Sequence, residues 1–200
     1  MKLHDKKFYA KEFDEDIYRK VQIERHQEKA SKKRDKGHYL NCCDHLIDLV
    51  SNGSEMICLG TRNNHERDVF KNGLSSKEVS VYSLDISPNS NADYVMDFNS
   101  FPEEWNNKWD IVFSNSLDHS VDATKSFYNW LDVVKVGGIM IIGFYLGDVV
   151  VGQADCSSFD NDTVESFMFN NDAFEFVESF NNGYKYYIIK KGVSGITEAQ

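Results

Sequence analysis

The stretch from Glu55 to Asp85 constrains this chain most, because it reads as a strand, a glycine turn, a helix and a second strand in succession. The apolar run Met56–Leu59 has strand length and ends at Gly60. Polar residues Thr61 to Glu66 lead into a helical pattern through Val69, Phe70 and Leu74. A second run, Val79–Leu84, ends in the carboxylate of Asp85, which completes a βαβ half-unit. In such units a glycine lets a ligand approach the backbone, the helix N-terminus presents free N–H groups, and a terminal carboxylate accepts from ribose hydroxyls. A nucleoside-containing ligand is the first expectation. The turn holds one glycine where the dinucleotide fingerprint needs three, so a plain strand-to-helix turn is the alternative reading of this stretch alone.

At 200 residues the chain suffices for one α/β domain and leaves little room for a second. No apolar run approaches the roughly 18 residues of a membrane span, and Met-Lys-Leu-His-Asp-Lys-Lys at the start lacks the apolar centre of a secretory signal. A cytoplasmic globular protein without membrane association is expected. The formal charge of −10 argues against broad attraction to nucleic-acid phosphates and favours small or neutral partners. Cys42, Cys43, Cys58 and Cys156 form no C-x-x-C pattern and read as reduced, structural thiols. The histidines lack paired ligand spacing, so no metal site is expected.

Upstream, Lys11 to Asp35 is dense in charge, with Phe13, Ile17, Val21 and Ile23 spaced as a narrow apolar helical stripe. The basic run Lys29–Lys36 reads as a solvated helix end or a binding patch. Gly37 punctuates the chain, and His38–Val50 is a second helical pattern. Downstream of Asp85, the brief strand Tyr94–Met96 ends at Asp97-Phe98. There the acid either accepts from an exocyclic amine, with the aromatic covering a purine face, or caps the next turn. Asp110–Asn115 reads as a strand buried on both faces, followed by the polar cluster Ser114–His119 at its C-terminal end, where open α/β sheets place ligands. Asp122–Val134 is a helix, Lys135–Gly138 a turn and Ile139–Phe144 a further strand. Tyr145–Phe159 is a loop long enough to suggest function on the acceptor side. A helix over Asp160–Asn170, capped by Asp160 or Asp162, precedes an antiparallel pair, Phe174–Val177 and Tyr184–Ile189.

From Leu40 to Lys191 the sequence resembles the class I S-adenosylmethionine-dependent methyltransferases, particularly the small "methyltransferase type 11" kind. The pieces that carry the resemblance are Trp109–Asp122, which looks like the family's fourth strand and following loop, and Asp132–Gly143, which looks like its helix-to-fifth-strand turn with Val136 in place of a proline. The terminal strand pair is the third. The resemblance implies a Rossmann-like α/β fold: a seven-stranded sheet of order 3-2-1-4-5-7-6, last strand antiparallel, helices on both faces. An NAD-binding domain would keep that edge parallel. The resemblance also implies S-adenosylmethionine over the first strands, with Gly60, Thr61 and Arg62 near the methionine moiety. Asp85 and Ile86 would then lie at the ribose, Asp97 and Phe98 at the adenine, and Asn115 beneath the methyl group. The usual first motif is close to Asp-x-Gly-x-Gly-x-Gly; here Cys58 occupies the acidic position, and Arg62 and Asn64 replace the second and third glycines.

Methyl transfer from a sulfonium needs alignment and exclusion of water, and a base only where the acceptor must lose a proton. His119 is the residue for that role, or else caps or packs on the following helix; Asp118 and Asp122 read as helix caps. The expected domain plan is residues 1–37 as a charged helical extension and possible lid near Tyr18 and Arg19, 38–192 as the methyltransferase domain and 193–200 as a tail. Two functions follow: methyl transfer to a small-molecule acceptor such as a metabolite or sugar, or a non-catalytic module that keeps the fold for binding or regulation.

Overall fold

Alternation along the strands sets the layering. In the computed structural model, which describes residues 3, 6–7, 14–29, 31, 35–147, 152 and 155–192, the first sheet strand β1 (Glu55–Leu59) sends Ile57 and Leu59 into one core and Met56 and Cys58 into the other. A strand with both faces covered reads as a continuous apolar run, because successive side chains point to opposite faces. The remaining strands are β2 (Ser80–Asp85), β3 (Tyr94–Val95), β4 (Trp109–Ser114), β5 (Val134–Phe144), β6 (Phe174–Asn181) and β7 (Lys185–Lys191). They form one seven-stranded sheet of order β3-β2-β1-β4-β5-β7-β6. Pairs from β3 through β5 are parallel, whereas β7 runs antiparallel to both β5 and β6. The expected order and reversed strand are therefore observed.

Helices α2 (Lys36–Leu46) and α3 (His65–Gly73) contribute Tyr39, Cys43, Leu46, Val69 and Phe70 to one core. Helices α4 (Ala123–Val133) and α5 (Asn161–Phe169) contribute Phe127, Trp130, Val164 and Phe167 to the other. Asp122 caps α4, its carboxylate accepting from the Lys125 N–H at 3.1 Å, and Asp160 caps α5 through Thr163 at 2.8 Å. Asp118 is not a helix cap; it lies in the short 3-10 turn Leu117–His119. Gly37 does not interrupt the chain: it sits in the first turn of α2, and its N–H donates to the capping carboxylate of Asp35 at 2.9 Å. Residues Lys135–Gly138 belong to β5 as an irregularity in its pairing with β4, with Gly137 at φ +78°.

Helix α1 (Glu15–Lys29) differs most from expectation. Ile17 is 50% exposed, and the buried residues are Tyr18 and His26. Its inner face is polar because it covers a cleft rather than a core. Phe13, most of the basic run before Lys36, part of the loop after Gly147 and the tail lie outside the described residues. Where that loop is described, Ser157–Ser158 pairs antiparallel with Lys6–Lys7. Among the described residues no helix is long and apolar enough to cross a membrane.

The reversed edge closes over Gly143, which faces Tyr186 across the β5–β7 ladder. A Cβ there would stand 2.5 Å from the Tyr186 ring. Gly143→Ala is expected to destabilise the protein by about 1–3 kcal/mol through overpacking, read as a lower urea midpoint with unchanged slope. An unshifted midpoint would mean that the ring moves aside at no cost.

Candidate functional site

The turn after β1 keeps the conformation of a glycine-rich loop with one glycine. Gly60, Arg62 and Asn64 all have positive φ, at +75°, +46° and +59°. Left-handed backbone costs a residue with a Cβ roughly 1–2 kcal/mol, least for asparagine, so the turn has to be held from outside. Gly60 and Thr61 N–H groups donate to the Leu84 carbonyl at 2.8 and 3.2 Å, and the Arg62 N–H donates to Asp85 Oδ2 at 2.9 Å. The Asn64 side chain turns away from the turn's open face and donates to the Asn91 carbonyl at 2.7 Å. At Gly60 a Cβ would lie 3.0 Å from Ser116 and 3.3 Å from the Phe98 ring, so both conformation and close approach require glycine.

Over the C-terminal ends of the strands this turn borders a cleft that is partly open to solvent. The sheet side is made by Gly60, Arg62, Asp85, Ile86, Asp97 and Phe98. Helix α1 closes the opposite side with Tyr18, Gln22, Arg25 and His26. Asp85 is 6% exposed, and its other oxygen accepts from the Ser87 N–H at 2.8 Å. His26 Nδ1 approaches that same oxygen at 3.2 Å, but off the line a hydrogen bond requires. Asp97 accepts from the Asn99 N–H at 2.9 Å and lies 3.6 Å from the Arg19 guanidinium. Phe98 is fixed edge-on to Trp130, whose indole N–H donates to the Phe98 carbonyl at 2.8 Å.

His119 stands at the end of the cleft. Its Nδ1 is 3.0 Å from Asp155 Oδ1, which also receives Arg25 at 2.7 Å, while Nε2 lies 4.0 Å from Asp118. Burial pulls the imidazole pKa down, but the charges of Asp118 and Asp155 outweigh it and leave the value above 6.5. Asp155 is desolvated, which opposes ionisation, yet the bonds from His119 and Arg25 hold its carboxyl well below the ordinary range. Ligand atoms of Asp118, His119 and Asp155 fall within 4.8 Å of one another, the spacing of a small cation site. Arg25 supplies positive charge to that group.

A second, more polar cleft lies on the other side of Gly60. Tyr39, Asn63, Glu66, Asn115 and Tyr184 line it, and Gly60, Arg62, Ser116 and His119 face both clefts. Of the residues expected at the site, Gly60, Arg62, Asp85, Ile86, Asp97, Phe98 and His119 thus border the first cleft, and Asn115 borders the second. Thr61 borders neither: it is buried, and its hydroxyl donates to Asn64 Oδ1 at 3.2 Å within the turn. Sequence reasoning missed Gln22, Arg25 and His26; Asp155 lies in the loop Tyr145–Phe159 expected on the acceptor side, without its partners being legible. Those three share one helical face with Tyr18, at i, i+4, i+7, i+8 spacing, but the face is polar and carries no apolar periodicity.

A seven-stranded sheet ordered in this way, with a reversed penultimate strand and a cleft at the C-terminal ends of β1, β2 and β4, is the class I methyltransferase fold. No family model matches the chain, and no curated protein matches it in sequence. Solved structures do match in architecture. The chain is similar to the 1,6-didemethyltoxoflavin-N1-methyltransferase of Burkholderia thailandensis, solved with 1,6-didemethyltoxoflavin and S-adenosylhomocysteine, at TM-score 0.70 and 10% identity over 95% of this chain and 94% of that one. It is similar to the N-methyltransferase NodS of Bradyrhizobium japonicum, in complex with S-adenosylhomocysteine, at 0.59 and 12% over 86% and 98%. It is also similar to the [4+2]-cyclase SpnF, at 0.60 and 11% over 78% and 81%.

The His119 pair makes a direct test. In a histidine-ring NMR titration His119 is expected to lose its proton above pH 6.5, and Asp155→Asn is expected to move that midpoint down, because the substitution removes an anion that favours the imidazolium. An unmoved midpoint would mean that the contact is absent in solution.

Proposed function

We propose that the chain is an S-adenosylmethionine-dependent methyltransferase acting on a small-molecule acceptor, a metabolite or sugar. The observation that carries this reading is the convergence, at one cleft, of a left-handed turn, a buried carboxylate ending β2 and an acid–aromatic pair after β3. Asp85 suits a ribose diol, since two backbone N–H groups fix its carboxylate at the cleft and use only two of its about four acceptor directions. Asp97 and Phe98 suit an adenine, Gly60 and Arg62 the chain that links it onward, and Asn115 the far end. The cofactor would supply an activated methyl group. The protein's part is then to align the acceptor and exclude water.

In this reading residues 1–37 provide a cover, with α1 turning Tyr18, Gln22, Arg25 and His26 inward, and 38–192 form the catalytic domain. His119 takes a proton from acceptors that must lose one. It does so only above its raised pKa, because below that the imidazole is already charged. A cytoplasmic setting fits the four buried cysteines, none in a disulfide.

A non-catalytic module is the second reading. Two observations favour it: Cys58 stands where the family's acid belongs, and His26 already faces the carboxylate that a ribose needs. Calorimetry with S-adenosylhomocysteine separates the two. Wild type is expected to bind, and Asp85→Asn, which keeps the shape of the side chain, to weaken binding about tenfold or more through loss of charge-assisted hydrogen bonds. Absence of heat with both S-adenosylhomocysteine and S-adenosylmethionine would sink the enzyme assignment.

A further inference from the structure

The second cleft contains an unmet hydrogen-bonding group that the fold does not explain. Asn115 is 7% exposed, and its Nδ2 has no hydrogen-bond partner among the described residues. Burying an amide donor without a partner costs about 1–3 kcal/mol, and this one borders a cleft rather than packed apolar side chains. The same cleft is lined by Glu66, in the first turn of α3, whose Oε1 accepts from the Tyr39 hydroxyl at 2.8 Å. Arg62 stands between the two clefts and faces both.

The position of Glu66 bears on Cys58. Burial first, and then the charge of Glu66, push the Cys58 thiol well above its ordinary range. The Glu66 carboxylate therefore lies within electrostatic reach of the side chain that replaces the motif's acid. Glu66, on the helix that follows the turn, thus brings a carboxylate to the lining of the second cleft.

The chemistry of the lining matches one kind of ligand end. An acceptor carboxylate, an amide donor and a guanidinium in one lining are what the ammonium and carboxylate of an amino acid require. Building on the S-adenosylmethionine reading above, we propose that this cleft holds the amino-acid end of the cofactor. Glu66, positioned by Tyr39, accepts from its ammonium in place of the acid missing at Cys58, and Asn115 Nδ2 and Arg62 donate to its carboxylate.

Two ligands that share an adenosine and differ at this end test the assignment by calorimetry. S-adenosylhomocysteine carries the amino acid; 5′-methylthioadenosine does not. Glu66→Gln is expected to weaken S-adenosylhomocysteine about tenfold or more while leaving 5′-methylthioadenosine within about twofold, and Tyr39→Phe to do the same more mildly. Thermal melts check that each variant folds; should Glu66→Gln fail to fold, Tyr39→Phe carries the comparison. An equal loss for both ligands would reduce Glu66 to a support of the turn, and an unchanged S-adenosylhomocysteine affinity would overturn the assignment; either leaves the methyltransferase reading standing. A wild type that binds neither ligand would overturn both.

Discussion

The site depends on the Asp85 carboxylate. It ends β2 almost fully buried, and a buried carboxylate is tolerable only where hydrogen bonds replace its water. One oxygen takes the Arg62 N–H from the turn after β1, and the other takes the Ser87 N–H from the loop after β2. Those two bonds lock the turn onto the neighbouring strand end and keep a left-handed arginine in place. A carboxylate offers about four acceptor directions, so two remain. His26 reaches toward them from α1, which means that the atoms organising the cleft are also the ones a ligand must share with its cover.

Much of the sheet was legible because its signals are local. Apolar runs of strand length, a glycine at the end of β1 and carboxylates ending β2 and preceding α5 each act through neighbouring residues. The first motif was harder to read. Written as letters, Gly60-Thr-Arg-Asn-Asn has lost its second and third glycines; as dihedral angles it has kept them, because positive φ persists at Arg62 and Asn64. The bonds to Leu84 and Asp85 supply from a distance what glycine supplies by lacking a Cβ.

Helix α1 failed in the other direction. Its apolar residues were read as a stripe, as is sound when a helix packs on a core. Ile17 instead points to solvent, and the inward face is Tyr18, Gln22, Arg25 and His26. What a helix covers decides which of its faces is buried, and no periodicity within α1 reveals that its partner is a polar cleft. The pairing of Asp155 was not legible for a related reason: its partners Arg25 and His119 are remote in sequence.

The two clefts divide the work unequally. The sheet side of the first is built from strand ends and short turns whose backbone bonds fix them, which suits the part of a ligand that stays the same. His119, at the junction, is held by Asp155 from the loop before α5 and, through Asp155, by Arg25 from α1. Loops and covering helices vary more readily than strand ends without cost to a core. Under the methyl-transfer reading proposed above, selection of the acceptor would fall to this three-part contact rather than to the sheet. The same backbone scaffold can then serve different chemistries, as a fold shared with both methyltransferases and a [4+2]-cyclase requires.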